Sequence, residues 1–187
     1  TAVNPNGVFQ LQLSHMATNG LMLHLVAYGV TNMAAFGAVA IVYNATGKDD
    51  IDDLAGLAQR SPFVAMVLTA ALFSLAGLPI FAGFVSKFYL FNAAATQGLL
   101  WLAGLAIFTS LISLYYYLNV IRFIYISEPA DSSRIRVPRL AVGVLGVLFL
   151  AMIFIGVYPA PILDAVQQAT DAVLSSDGIL RLAGALN

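Results

Sequence analysis

Charged side chains are scarce in this sequence, and their scarcity decides its class. Only 9% of its 187 residues are Asp, Glu, Lys or Arg, whereas 60% are hydrophobic. A soluble domain carries roughly 25% charged residues and about 45–50% apolar ones. There is too little charge to cover a surface in water, and there are more apolar side chains than one core can use. The sequence therefore predicts a membrane protein, with lipid as the solvent for much of its surface.

Other absences narrow the chemistry. The sequence has no cysteine, which excludes disulfides, thiolate metal sites and Fe–S ligation within the chain. A net charge of -1 offers no basic surface for phosphates and excludes nucleic acid as a partner. A Gly-rich phosphate loop, a nucleophile elbow, a metal-ligand cluster and paired carboxylates in an apolar run are missing as well. We expect no catalytic residue, metal site or cofactor site in this chain.

What the sequence has instead is long apolar runs. A helix needs about 20 apolar residues to cross a hydrocarbon core of ~30 Å, and the runs long enough are Gly20–Asn44, Pro62–Gln97, Gly98–Ile126 and Pro138–Tyr158. The remainder, Ile162–Asn187, spaces its apolar residues as a helix does but is too polar to span, which predicts an amphipathic helix. The predicted fold class is all-α: a polytopic transmembrane helical bundle of about four spans, one of them discontinuous, plus this C-terminal amphipathic helix.

The run Pro62–Gln97 predicts the discontinuous helix. As one straight helix its roughly 36 residues would measure ~54 Å, which exceeds the hydrocarbon core, and no polar turn divides it into two spans. Pro79 lacks an N–H and clashes with the preceding helical turn, and Gly77 and Gly83 flank it. We therefore predict two half-helices with a break within Ala76–Gly83, at a depth where protein or a water-filled cavity must satisfy the freed carbonyls.

Positive charge predicts the orientation. Most Lys and Arg residues lie in or near the loops Ala45–Ser61 and Ser127–Val137, which share one side of a four-span bundle, whereas Arg181 falls on the other side. By the positive-inside rule these loops are cytoplasmic and both chain ends face outward.

The predicted organisation has three parts. Residues 1–19 form an extramembrane segment or the end of a preceding helix, residues 20–160 the transmembrane helical region, and residues 161–187 an amphipathic helix on the outer face. The sequence begins with Thr1 rather than Met and shows no signal-peptide pattern, so we also expect it to be a piece of a longer protein.

Lys87 is the charged residue within Pro62–Gln97. An ammonium at membrane depth costs at least ~2.5–3.5 kcal/mol on insertion scales, so it is kept for a function or hidden in a wet cavity. A lysine withdrawn from water can change its charge in response to neighbours, as a proton relay requires. The alternative is a snorkelling lysine. Because Lys87 lies about 12 Å past Pro79 and still ~15 Å short of Gln97, we favour the relay.

Three further polar residues interrupt the first span. His24 lies about one turn inside it and titrates in the range that suits proton transfer, although a lone interfacial histidine more often packs or forms a hydrogen bond. We retain His24 as a weaker relay candidate. Thr31 and Asn32 are expected to bond between helices, a common use of such residues in bundles, and less readily to serve a water wire.

Three stretches carry a family resemblance. They read DDLAGLAQRSP at 52–62, LFSLAGLPIFAGFVSKFYLF at 72–91 and SLYYYLNVIRFIY at 113–125. They resemble the C-terminal third of the N-type antiporter-like subunit of bacterial respiratory complex I, the NADH–quinone oxidoreductase. The related L and M subunits and Mrp-type cation/proton antiporters share a weaker version of the pattern. The similarity runs from about Tyr28 to Tyr125, and the family's residues stand at Gly77, Pro79, Gly83, Phe84, Lys87, Phe88 and Tyr89.

The resemblance implies a fourteen-helix subunit built from two inverted five-helix repeats, each with one broken helix, and with a line of buried lysines and a glutamate across the membrane. This chain would form the last four helices, and Lys87 would match the lysine of the second broken helix. The glutamate and the earlier lysines belong to upstream helices, and His24 has no counterpart in the pattern. The C-terminal amphipathic helix would bridge adjacent subunits on the outer, periplasmic face.

The function implied by the resemblance is proton translocation by a membrane subunit of NADH–quinone oxidoreductase in the bacterial inner membrane, without redox chemistry in this chain. NAD, FMN, Fe–S clusters and quinone would bind in other subunits. The partners would be adjacent antiporter-like subunits, the lipid bilayer and protons. Two alternatives are an Mrp-type cation/proton antiporter subunit and a non-pumping structural subunit of a related complex. Retention of Lys87 speaks against the second of these.

Overall fold

A computed structural model describes residues 5–48, 50–129 and 132–174, with the backbone alone at 5–14, 173 and 174. These residues form helices joined by short connections, and they contain no strand, which confirms the all-α class. The helices are α1 Pro5–Thr46, a 3-10 turn Ile51–Leu54, α2 Leu57–Arg60, α3 Pro62–Ala76, α4 Ala82–Thr96, α5 Leu100–Tyr125, α6 Arg139–Val157 and α7 Ala160–Leu174.

The helix lengths agree with about four spans. Within the described residues, three helices are long and apolar enough to cross a membrane: the His15–Thr46 part of α1, α5 and α6. α3 and α4 have 15 residues each, so either alone would reach only ~22 Å. Together they make the fourth, composite span.

α1 begins earlier than the predicted span at Gly20. It is already helical at Pro5, where the described part of the chain begins, and no further proline interrupts it before Thr46. Helix bounds do not locate the membrane surface, so the division at residues 19 and 160 stays a prediction.

α1 is the helix on which the described bundle packs. α3, α4, α6 and α7 all contact it, while α5 packs on α3 and α4. Small residues of α1 let the helix axes approach closely, and larger apolar residues of α3 and α6 fill the space around them. The main core includes Ala34, Ala38, Val64, Val67, Leu68, Ala71, Leu145 and Met152. This packing holds α3 against the middle of α1.

The run Pro62–Gln97 is broken where the sequence predicts it. α3 ends at Ala76 and α4 begins at Ala82, which confirms the discontinuous helix. The break packs on α1 near Ala27, roughly midway along the apolar part of that helix.

Gly77 ends α3 in a Schellman motif. Its φ is 85°, in the left-handed region that glycine adopts without a steric penalty. The N–H of Gly77 donates to the carbonyl of Ser74 at 3.0 Å, and the N–H of Leu78 donates to the carbonyl of Phe73 at 3.0 Å. This motif satisfies two carbonyls that the end of the helix would otherwise leave bare.

α7 continues the path of α6 along α1. Ile155 near the end of α6 and Ile162 in α7 both pack in a cluster with Ala27 of α1. Further along, the carboxylate of Asp171 lies 3.2 Å from Nδ1 of His15. Because residue numbers rise along α7 as they fall along α1, the two helices are antiparallel, and α6 and α7 form a second interrupted helix.

The amphipathic helix predicted over Ile162–Asn187 is helical from Ala160 to Leu174. It starts two residues early because Pro161 is tolerated in a first helical turn. Residues 175–187 lie outside the described part. α7 packs lengthwise along α1 rather than across its end, which differs from the flat arrangement expected at a membrane surface, and the side of the membrane that it faces stays a prediction.

Gly83→Ala tests the closeness of the two half-helices. A Cβ at Gly83 would lie 2.7 Å from the carbonyl carbon of Ser74, which is too close for an unshifted backbone. We expect a loss of about 1–3 kcal/mol of stability, typical of overpacking, measured as a lower unfolding midpoint temperature in detergent. The control is Gly104→Ala in α5, where a Cβ meets nothing within 4 Å and alanine favours the helix by ~1 kcal/mol. An unchanged midpoint for Gly83→Ala would contradict this packing.

Candidate functional site

Lys87 reaches back across the break to the end of the preceding half-helix. Its Nζ donates to the carbonyl of Leu75 at 2.8 Å and to the hydroxyl of Ser110 on α5 at 3.2 Å. The last four carbonyls of a helix have no partner within it and form the negative end of its dipole. The Schellman motif satisfies the carbonyls of Phe73 and Ser74. The Lys87 ammonium satisfies the next one, that of Leu75.

Ser74 caps the other half-helix. Its hydroxyl accepts a hydrogen bond from the N–H of Gly83 at 3.0 Å, and this N–H belongs to the first turn of α4, where helical partners are lacking. Phe81, the residue before α4, provides no side-chain cap. Each half-helix therefore caps the other: Lys87 from α4 caps the end of α3, and Ser74 from α3 caps the start of α4. We call this arrangement the crossed caps.

α1 anchors the crossed caps through Thr31. Its hydroxyl donates to the carbonyl of Ala27 at 2.7 Å and lies 3.0 Å from the hydroxyl of Ser74. Because the Thr31 proton is used on Ala27, Ser74 donates to Thr31 while it accepts from Gly83. Thr31 and Ser74 are 1% and 0% exposed, so these bonds are shielded from solvent.

His24, on the same face of α1 as Thr31, contacts the first turns of α4. Its Nδ1 lies 3.2 Å from the hydroxyl of Ser86, and that hydroxyl donates to the carbonyl of Gly83 at 3.2 Å. In this arrangement Nδ1 of His24 carries the proton and donates to Ser86. A shift of the proton from Nδ1 to Nε2 would remove this bond, whereas protonation of the whole ring would keep it.

A small cavity connects His24 with Lys87. Its volume is about 110 Å³, and its polar lining includes both residues together with Thr31, Ser74 and Ser86. A water molecule takes ~30 Å³ in the liquid, so the cavity has room for about three. Hydroxyl, imidazole and ammonium groups give such waters hydrogen-bond partners.

A larger cavity lies on the α5 side of Lys87. Its volume is about 300 Å³, and apart from Lys87 and Ser110 its side chains are apolar, among them Leu78, Phe84, Phe88, Phe91, Ile107, Leu111 and Leu114. The lysine therefore lies between a polar cavity on one side and an apolar cavity on the other.

The structure brings together Lys87 and His24 and leaves Asn32 apart. Lys87 and His24 line the same small cavity. The amide of Asn32 instead donates to the carbonyl of Tyr28 in its own helix at 2.8 Å, so the predicted bond between helices is formed by Thr31 alone. The relay roles of Lys87 and His24 stay predictions.

Three serines of the site were not predicted from the sequence. Ser74 precedes Gly77 by one helical turn, Ser86 adjoins Lys87, and Ser110 stands in the middle of an apolar span. A hydroxyl within an apolar run needs a partner, because an unpaired polar group is costly away from water. This requirement indicates that each of these hydroxyls forms a hydrogen bond, but it does not identify the partner.

Residues 6–113 match the family described as NADH:quinone oxidoreductase/Mrp antiporter, TM. The match includes α3, α4, the polar side chains of the crossed caps and those of the small cavity except Tyr117. The chain belongs to this family. The similarity to the family therefore covers most of the site as well as the apolar spans.

Named relatives agree with the family assignment. NADH-quinone oxidoreductase subunit N of Dehalococcoides mccartyi is 36% identical over 157 residues, which are 82% of this chain and 32% of that protein. The chain spans about a third of the length of the curated relatives that it matches.

Two solved structures share the fold of this family member. Respiratory complex I from Thermus thermophilus with bound aureothin matches 80% of this chain and 34% of its own chain, with a TM-score of 0.71 and 27% identity. The Mrp complex from Dietzia sp. DQ12-45-1b matches 89% of this chain and 40% of its own, with a TM-score of 0.81 and 20% identity. At the second identity the likeness concerns the fold alone.

Ser74→Ala tests the crossed caps. The substitution leaves the N–H of Gly83 without its partner and removes the bond between Ser74 and Thr31, and an unsatisfied buried group costs about 1–3 kcal/mol. We expect a lower unfolding midpoint temperature in detergent. Ser113→Ala is the matched control, because the Ser113 hydroxyl bonds to the carbonyl of Thr109 in its own helix at 3.1 Å. Equal shifts in the two variants would argue against a capping role for Ser74.

Proposed function

We propose that the chain is part of a proton-translocating, antiporter-like membrane subunit of NADH–quinone oxidoreductase. Quinone reduction elsewhere in the complex drives protons through this subunit, and the chain itself does no redox chemistry. NAD, FMN, Fe–S clusters and quinone bind in other subunits. The family membership and the relatives named subunit N support this proposal.

The observation that carries the proposal is how the charge of Lys87 is held. Its ammonium bonds to the carbonyl of Leu75 and the hydroxyl of Ser110, and the ion pairs found in the described part of the chain lie elsewhere, at His15–Asp171 and Lys48–Asp53. A cation at a helix end gains up to ~2 kcal/mol, an energy that one neighbouring charge can offset in a medium of low dielectric. A charge held by an interaction of this size can be switched, as a relay requires.

His24 and the small cavity extend the proposed relay toward α1. Waters in the cavity connect the imidazole and the ammonium, and a proton moves between them along hydrogen bonds. Protonation of either group disfavours protonation of the other, because like charges repel in a medium of low dielectric. This coupling supports the alternation of Lys87 between charged and neutral forms.

The proposed setting is a multi-pass protein of the bacterial inner membrane. The loops 45–61 and 127–137 face the cytoplasm and the C-terminal segment faces the outside, as the distribution of Lys and Arg favours. The partners are other membrane subunits of the complex, in particular adjacent antiporter-like subunits.

An Mrp-type cation/proton antiporter is the second candidate, and the likeness in fold to the Mrp complex favours it. Purification of the full-length protein with its bound neighbours separates the two. We expect an assembly that contains flavin and Fe–S clusters and reduces quinone. An assembly without these groups that exchanges a cation for protons would support the antiporter instead.

Lys87→Ala and Lys87→Arg test the relay. Alanine removes the titratable group and with it the cap on the carbonyl of Leu75, so some loss of stability is expected, but the helix is kept because alanine is the best helix former. Arginine keeps the positive charge but does not release its proton at physiological pH. We expect both variants to assemble and both to lose proton pumping, measured as the proton-to-electron ratio in vesicles that contain the whole complex. A snorkelling lysine would give another result, with proton pumping retained in the arginine variant.

Lys48→Ala is the matched control for Lys87. Lys48 lies in the loop after α1, exposed and 3.5 Å from a carboxylate oxygen of Asp53, and exposed ion pairs contribute at most ~1 kcal/mol. Its loss should leave pumping unchanged. Equal proton-to-electron ratios and turnover in wild type and both Lys87 variants would remove Lys87 from the relay.

His24→Asn separates a relay from a packing role for the histidine. Asparagine is a comparable planar side chain that can bond to the hydroxyl of Ser86, but it does not titrate. If His24 transfers protons, His24→Asn pumps less while its unfolding midpoint temperature stays near that of the wild type. Unchanged pumping in His24→Asn would leave His24 as a hydrogen-bonding residue only.

A further inference from the structure

The joint between α6 and α7 packs directly on the break between α3 and α4. α6 ends at Val157 and α7 begins at Ala160, so this joint interrupts the second composite helix just as residues 77–81 interrupt the first. Ile155 and Ala82, which flank the two interruptions, share one buried cluster with Ala27 of α1. The two interruptions therefore lie side by side at one depth of the bundle.

Gly156 is the residue through which the two interruptions touch. A Cβ on Gly156 would lie 2.6 Å from the carbonyl carbon of Ile80 and 2.6 Å from that of Phe81. Both are backbone atoms, so a side chain at 156 could be accommodated only if the backbone of the break moved. Glycine is the residue that permits this approach.

Ile80 is held in a strained conformation at this contact. Its φ is 82°, and a β-branched residue in this region is an outlier. Strain of this kind persists only where the surroundings fix the backbone. The Ile80 side chain is 62% exposed, so its own packing in the described chain does not supply that constraint. The backbone of Ile80 is, however, in close contact with Gly156.

We propose that Gly156 is a positioning residue for the break: it lets the α6–α7 joint fix the backbone of Ile80 and Phe81, and thereby the start of α4. Phe81 immediately precedes α4, whose first two turns contain Ser86 and Lys87. A shift of this backbone moves Ser86 relative to His24 and the Lys87 ammonium relative to the carbonyl of Leu75. The effect on pumping rests on the proposed function, whereas the effect on geometry does not.

Gly156→Ala tests the proposal, with two matched controls on the same helix. At Gly143 a Cβ meets nothing within 4 Å, and at Gly146 it lies 3.9 Å from the ring of Phe63, an ordinary contact. Alanine should therefore be accepted at 143 and 146, where it favours the helix, and should displace the break only at 156.

A cysteine at Ser86 reports the geometry independently of pumping. Ser86 is 0% exposed and the sequence has no cysteine, so a Ser86→Cys chain in the assembled complex should react slowly with a water-soluble maleimide. We expect faster labelling when Gly156→Ala is added, and no change with Gly143→Ala or Gly146→Ala. In the background without the cysteine, Gly156→Ala should lower the proton-to-electron ratio.

Ile80→Gly serves as the rescue. Glycine is unstrained at positive φ, so the break can yield to the new methyl group without distorting α4. We expect Ile80→Gly added to Gly156→Ala to slow the labelling and to restore pumping, whereas a general loss of packing would not be reversed by a second substitution in the break.

The outcomes distinguish this inference from the proposed function. If Lys87→Ala pumps like the wild type while Gly156→Ala still speeds labelling at 86, the relay fails and the positioning role stands. If Gly156→Ala labels and pumps like Gly146→Ala, the positioning role is wrong. Loss of the assembled complex in Gly156→Ala that Ile80→Gly does not reverse would also overturn it.

Discussion

The fold depends on how a helix can be interrupted away from water. An interruption frees carbonyls on one side and N–H groups on the other, and lipid offers no partner for either. Here the two half-helices exchange caps: the Lys87 ammonium bonds to the carbonyl of Leu75, and the Ser74 hydroxyl accepts from the N–H of Gly83. Lys87, whose charge is costly to place in a membrane, thus satisfies a backbone carbonyl that the interruption leaves free.

Crossed caps require the half-helices to lie close together, and this requirement explains the residues around them. Gly83 has no side chain because the backbone of Ser74 fills that space. Gly77 turns the chain at positive φ, and a Cβ there would lie 3.1 Å from Cδ of Lys87. Thr31 forms a hydrogen bond with the Ser74 hydroxyl, so α1 also holds the break that the caps between α3 and α4 fix.

The sequence predicts the features of this site that are local and misses those that are not. Pro79 and the flanking glycines interrupt a helix wherever it packs, and Lys87 is conspicuous in any apolar run. The hydrogen-bond partners in the site lie far apart along the chain. Thr31 and Ser74, for example, are separated by 43 residues. The same limit applies to the two interruptions that lie side by side. Pro159 indicates from the sequence that a span ends, but the contact between Gly156 and Ile80 depends on how α6 packs.

Magnitudes suggest why a cap can also act as a switch. A hydrogen bond to a charged group contributes about 1.5–3 kcal/mol net, so at roughly tenfold per 1.4 kcal/mol the bonded form is favoured about 10- to 150-fold. A like charge arriving ~8 Å away interacts with the ammonium by about 2 kcal/mol at an effective dielectric constant of 20. The two energies are similar, so in the proposed relay one charge arriving from a neighbouring group would be enough to weaken the hold of the helix end on Lys87. Among the described residues that hold consists of a helix-end carbonyl and a serine hydroxyl, an interaction of the size that such a charge can change.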